Sequence, residues 1–116
     1  MPAGRVAATL GLLLLMAAAC SRPHDPIWFN EGTLIVENQS SKEWRNVRVT
    51  VNDHFMGGAQ AVGPGGRLTA PLGQLQTGFG QRFDRGRMSV KKVEVTATDS
   101  DGNPVRLLWS SDRRGL

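Results

Sequence analysis

One thiol, two imidazoles and a run of cations are the groups in this chain best suited to chemistry. Cys20 is the sole cysteine among 116 residues, so its sulfur has no intramolecular disulfide partner. His24 and His54 stand thirty residues apart, and no CxxC or HExxH spacing accompanies them. Asp99, Asp101 and Asn103 alternate like the start of a calcium loop. However, Gly102 falls at the fourth place rather than the sixth, and no Glu closes the loop at the twelfth. No serine sits in a Gly-x-Ser-x-Gly elbow, and no pair of carboxylates stands out. The glycine-rich stretches Gly63-Pro64-Gly65-Gly66-Arg67 and Gly78-Phe79-Gly80 lead into no helix and lack a Gly-Lys-Ser/Thr step, so they read as turns rather than phosphate cradles. These residues predict no catalytic site, no metal and no cofactor.

The cations are unevenly spread. Residues 20–81 carry five basic and five acidic groups, and residues 93–116 carry three and four. Residues 82–92 hold Arg82, Arg85, Arg87, Lys91 and Lys92 against Asp84 alone, a local excess of +4. Phe79 and Phe83 lie in and just before this stretch, and both are expected to pin it to the domain. Cations beside aromatic rings suit a polyanion or an acidic protein patch. The competing reading is a solvated loop whose charge shields a strand edge from aggregation.

Cys20 has a further context. Residues 1–19 pair Arg5 with an apolar run of fourteen residues from Val6 to Ala19, ending Ala17-Ala18-Ala19. A spanning helix needs about 20 apolar residues. This run is shorter and stops at Ser21, Arg22 and Pro23, which predicts a cleaved export signal over 1–19. Ala17-Ala18-Ala19-Cys20 resembles the lipobox of bacterial lipoprotein signals, departing from it at Ala17, where that group most often has Leu. The resemblance implies acylation of Cys20, and Ser21 after it implies an outer-membrane site facing the periplasm. The alternative is an ordinary secretory signal cut after Ala19, which would leave Cys20 a free thiol.

The elements that must position these groups follow from period-two patterning. Residues 20–32 read as a polar, lipid-bearing tether with Pro23 and Pro26; Ile27, Trp28 and Phe29 within it are expected to tuck onto the domain, with contact at the membrane interface as the alternative. Strands are predicted over 33–37, 44–51, 54–56, 67–72, 90–98 and 104–109. Val47, Val49 and Val51 face inward, as do Val93, Val95 and Ala97. Trp44 is out of phase with the valines and predicts a bulge or bend. Pro71 cannot donate to a ladder, so its strand belongs at an edge. Residues 73–86 read as a long loop, and 112–116 as a flexible tail.

Together these give an all-β chain, a small antiparallel β-sandwich over 33–111. Trp44 with Val47, Val49 and Val51, then Pro64-Gly65, then Phe83 and a valine-rich strand, resemble the immunoglobulin- and fibronectin-III-like domains of bacterial envelope lipoproteins. The absent Cys…Trp…Cys core favours the fibronectin-like branch. The resemblance implies a membrane-anchored, non-enzymatic binding or assembly module of the cell envelope. Its partners are expected to be the lipid bilayer through acylated Cys20, and an envelope protein or anionic glycan or lipid, with no nucleic acid. A passive structural component and a small hydrolase are the alternatives. If the acyl group is the anchor, Cys20→Ser moves the protein out of a carbonate-washed membrane pellet into the soluble fraction, as read by immunoblot.

Overall fold

A computed structural model describes residues 24–112 of the chain. The signal segment, Cys20, the first part of the tether and residues 113–116 lie outside the described residues. Seven strands form, β1 (Ile27–Asn30), β2 (Thr33–Glu37), β3 (Trp44–Val51), β4 (Phe55–Val62), β5 (Arg67–Pro71), β6 (Lys92–Asp99) and β7 (Pro104–Ser110). They make two antiparallel sheets, ordered β1-β2-β5 and β4-β3-β6-β7. Each sheet turns an alternating apolar face inward. Ile27, Leu34, Val36 and Leu68 from the first meet Val47, Val49, Val51, Val93 and Val95 from the second in one core. This is the expected β-sandwich, held without a helix longer than the 3-10 turn Leu72–Gln74 among the described residues.

The tether is shorter than its composition suggests. Ile27 to Asn30 form β1, paired with β2 from Ile27↔Val36 to Asn30↔Thr33. Ile27 is 1% exposed, and Phe29 meets Trp109 edge to face at 5.0 Å, closing the gap between the edge strands β1 and β7. Trp28 packs on the outer face of the sheet, between the His24 ring at 5.4 Å and the Arg67 guanidinium at 5.1 Å. Alternating burial of Ile27 and Phe29 against β2 is what turns these residues into a strand rather than a linker.

Trp44 does sit at a bulge. Pairing of β3 with β6 shifts by one residue between Arg45 and Arg48, and Asn46 takes a left-handed φ of 53°. The extra residue rotates Trp44 onto the same face as Val47, so both are buried. On the other side β4 runs to Val62, well past the predicted 54–56. Gly58 lets it do so, because a Cβ there would stand 2.2 Å from the Val47 carbonyl oxygen. β5 lies at the edge of its sheet, with Pro71 at its end.

One polar side chain is fully buried among the described residues, that of Asn38. Its amide nitrogen donates to the carbonyls of Lys42 at 2.8 Å and Val62 at 3.0 Å. Its side-chain oxygen accepts from the Ser40 backbone at 3.0 Å and the Ser40 hydroxyl at 2.6 Å. Its own backbone exchanges bonds with the β4–β5 turn, donating to the Gly66 carbonyl and accepting from the Gly65 N–H. Truncation strands these groups without water. Asn38→Ala is expected to lower unfolding free energy by about 3 kcal/mol, seen as an earlier urea midpoint. Asn38→Asp, of the same shape but unable to donate to either carbonyl at neutral pH, is expected to fall at least as far.

Candidate interaction surface

The strand register assigns the chain's features to two ends of the sandwich. The chain enters β1 at Ile27 beside Val36, at the end that also holds Asn38 and the β6–β7 hairpin loop. The opposite end carries the β1–β2 turn, the β3–β4 turn and the segment from Leu72 to Lys91. His24 and His54 therefore sit at opposite ends. Asp99 is used locally, accepting from the N–H groups of Asp101 and Asn103 at 2.9 Å each, and Asp101 pairs with Lys42.

The long segment is built from buried pegs and exposed tips. Leu72, Leu75 and Phe83 are buried, and Phe83 meets Phe55 edge to face at 5.2 Å, which plugs this end of the core. Gln76 exchanges backbone bonds with Met56 at the start of β4 and bridges to Arg82. Between them lies a tight turn. Thr77 N–H donates to the Gln81 carbonyl at 2.8 Å, and Gly80 N–H donates to the Thr77 carbonyl at 3.0 Å. The Thr77 hydroxyl accepts from the Phe79 and Gln81 N–H groups at 3.3 and 3.2 Å. Phe79 stands at the tip of this turn with 103% relative exposure. It does not pin the loop as expected; Phe83 does, with the leucines. The turn's own hydrogen bonds, not ring burial, hold it.

The five cations divide into two groups. Arg87, Lys91 and Lys92 line an open groove of about 420 Å³ together with Asn52, Asp53 and Ser89. Asn52 is its frame. It takes a φ of 52° and Asp53 one of 64°, the left-handed pair that a type I′ turn requires and that Asn and Asp tolerate. The Asn52 side chain accepts from the Lys91 and Lys92 N–H groups at 2.8 and 3.2 Å and donates to the Ser89 carbonyl at 2.9 Å. Arg82 and Arg85 lie apart from the groove. Arg82 stands at the foot of the Phe79 turn. The Arg85 guanidinium covers Gly32 in the β1–β2 turn, where a Cβ would come within 2.2 Å of Nη1.

Electrostatic pairing reduces the expected excess. Lys92 Nζ meets Asp53 Oδ1 at 2.8 Å, and Arg87 approaches Asp84 at 3.9 Å. Arg82, Arg85 and Lys91 form no ion pair among the described residues. The groove thus presents Arg87 and Lys91 beside the Lys92–Asp53 pair, and the turn presents a bare ring. Sequence patterning reads Asn52-Asp53 as the turn after Val51, which the structure bears out, but does not place the pair in a groove. It missed the exposure of Phe79, for which the glycines on both sides were the signal.

A second groove, of about 410 Å³, opens near the other end, between Pro26, Trp44, Val105 and Leu107. Its lining is more apolar, with Lys42 and Asp99 at the rim. No family model, no curated protein and no solved structure matches the chain.

The Lys92 hydrogen bond, reinforced by its charge, holds the Asp53 carboxyl below its ordinary value. A depressed carboxyl stabilises the fold above the ordinary carboxylate pKa, and that contribution disappears as pH falls through the lowered value. The urea-midpoint difference between the parent protein and Asp53→Asn is therefore expected to be largest above about pH 4 and to close on further acidification.

Proposed function

We propose that this chain is a non-enzymatic binding or assembly module of the bacterial envelope, anchored through acylated Cys20 on the periplasmic side of the outer membrane, with residues 73–92 as its contact surface. The anchor rests on the lipobox resemblance and on a single cysteine placed where acylation consumes it. The binding reading rests on one observation, the fully exposed Phe79 ring on a turn fixed by four hydrogen bonds. A bare phenyl ring in water forgoes about 1.5–3 kcal/mol of burial. A passive spacer has no use for such a ring, whereas a docking surface recovers that free energy on contact. Arg82 at the foot of the turn, and Arg85, Arg87 and Lys91 at the same end of the sandwich, add attraction for an acidic or anionic counterpart.

Reversing charge at this surface tests the assignment. The double variant Arg85→Glu/Arg87→Glu is expected to lose about tenfold in retention of co-purifying material from envelope extracts, since charge complementarity sets capture. The control Arg45→Glu/Arg48→Glu, which makes the same change on β3, is expected to bind as the parent does. Equal pull-downs from both double variants would remove the surface assignment.

A further inference from the structure

The geometry points to a specific counterpart for the Phe79 end, namely an anionic lipid bilayer other than the one that holds Cys20, so that the domain bridges two membrane surfaces. This inference rests on the lipid-anchor reading above for its second half and on geometry alone for its first.

The first half concerns the medium. Phe79 projects from Gly78 and Gly80, with Thr77, Gln81 and Arg82 around it. The other large apolar side chains that stand exposed are Leu108, on the outer face of β7, and Met56, 41% exposed and bonded through its backbone to Gln76 at the foot of the turn. A protein interface places its anchoring ring within a contiguous patch that matches the partner and excludes water around it. A ring at the tip of a narrow turn, with a single half-exposed methionine at the foot, has no such surround. It suits a fluid hydrocarbon phase, which needs no matched surface, with the cations left at the depth of the headgroup phosphates. Arg82, Arg85 and Lys91 are free for that role, since none forms an ion pair among the described residues.

The second half concerns reach. The cationic end lies across the sandwich from Ile27, where the chain enters. From Trp44 to Val51 β3 spans about 23 Å, seven steps of 3.3 Å, and the Phe79 turn, which runs on from Gln76 antiparallel to β4, extends beyond them. Ile27 is seven steps along the chain from Cys20, a contour of at most about 25 Å. End-on insertion of Phe79 into the bilayer holding Cys20 would need the tether to run back along the full length of the domain. The contour falls short of strand and turn together, so end-on docking takes a second bilayer.

Vesicle experiments separate the two halves. The processed chain with Cys20→Ser, which has no acyl group, is expected to co-sediment with phosphatidylglycerol-containing vesicles and not with phosphatidylcholine vesicles. Phe79→Ser and Arg82→Glu/Arg85→Glu are each expected to weaken that binding about tenfold. Their circular dichroism should match the parent, because all three side chains are exposed. The native lipidated chain, seated in phosphatidylcholine vesicles, is expected to cluster them with added phosphatidylglycerol vesicles. No binding by the Cys20→Ser chain would overturn bilayer docking whatever Cys20 carries. Binding lost on charge reversal but kept in Phe79→Ser would make the surface a polyanion site and overturn it too. Binding without clustering by the native chain would overturn the bridging half. If mass spectrometry finds no acyl group on native Cys20, the anchor reading fails and bridging fails with it, while docking by the Cys20→Ser chain is judged separately.

Discussion

The backbone polar groups of a sandwich's crossovers need hydrogen-bond partners that no ladder supplies, and here two asparagines meet those that the turns leave over. A carboxamide both donates and accepts, so one side chain can bind carbonyls and N–H groups of segments that no ladder reaches. Asn38 does this at the end where the chain enters, tying the β2–β3 crossover to the end of β4 and to the β4–β5 turn. Asn52 does it at the opposite end, tying the β3–β4 turn to the residues that lead into β6. Ser or Thr offers one donor, and Asp at neutral pH offers none, so neither could replace this pair of functions. The cationic segment inherits its position from the second clamp. Lys91 and Lys92 are presented at the groove because their own N–H groups are held by Asn52.

The same segment shows how a core can fix a surface without covering it. Leu72, Leu75 and Phe83 drop into the end of the sandwich, and the residues between the last two are forced outward as a loop. Gln76 joins the loop to the edge strand β4 at Met56, so part of that edge is capped, in keeping with the edge-shielding reading of these residues. Shielding by itself explains Gln76 and the charges but not the ring. The hydrogen bonds of Thr77 order the tip during folding, so the conformational entropy of the loop is already spent before any partner arrives.

Most of the architecture was readable from alternation. Val47, Val49 and Val51, and Val93, Val95 and Ala97, announce half-buried strands because a two-residue period has one face to bury. Pro71 marks an edge and Trp44 a bulge for equally local reasons. The misreadings share a cause. Pro26 and the polar residues before it mask the strand at Ile27, since only pairing with β2 makes those four residues extended. Gly57 and Gly58 look like a stop, yet the second permits close approach of β4 to the bulged strand. Phe79 and Phe83 look alike in composition, and only the register of the loop decides that one is a plug and the other is bare. Asn38 and Asn52 resemble ordinary turn residues because their partners are distant in sequence; Val62 and Ser89 lie 24 and 37 residues away.

That distribution bears on what kind of protein this is. Asp53, Asp84, Asp99 and Asp101 accept hydrogen bonds from backbone groups or hold cations nearby, and the two histidines lie at opposite ends. His24 Nε2 meets Glu37 Oε1 at 2.9 Å, and Arg67 holds the same carboxylate at 3.1 Å. Phe79, Arg82, Arg85 and Lys91 stand exposed at one end of the sandwich. A ring and dispersed cations face outward together there. In the proposed arrangement this surface lies across the domain from the tether, so anchoring and contact do not compete for the same face.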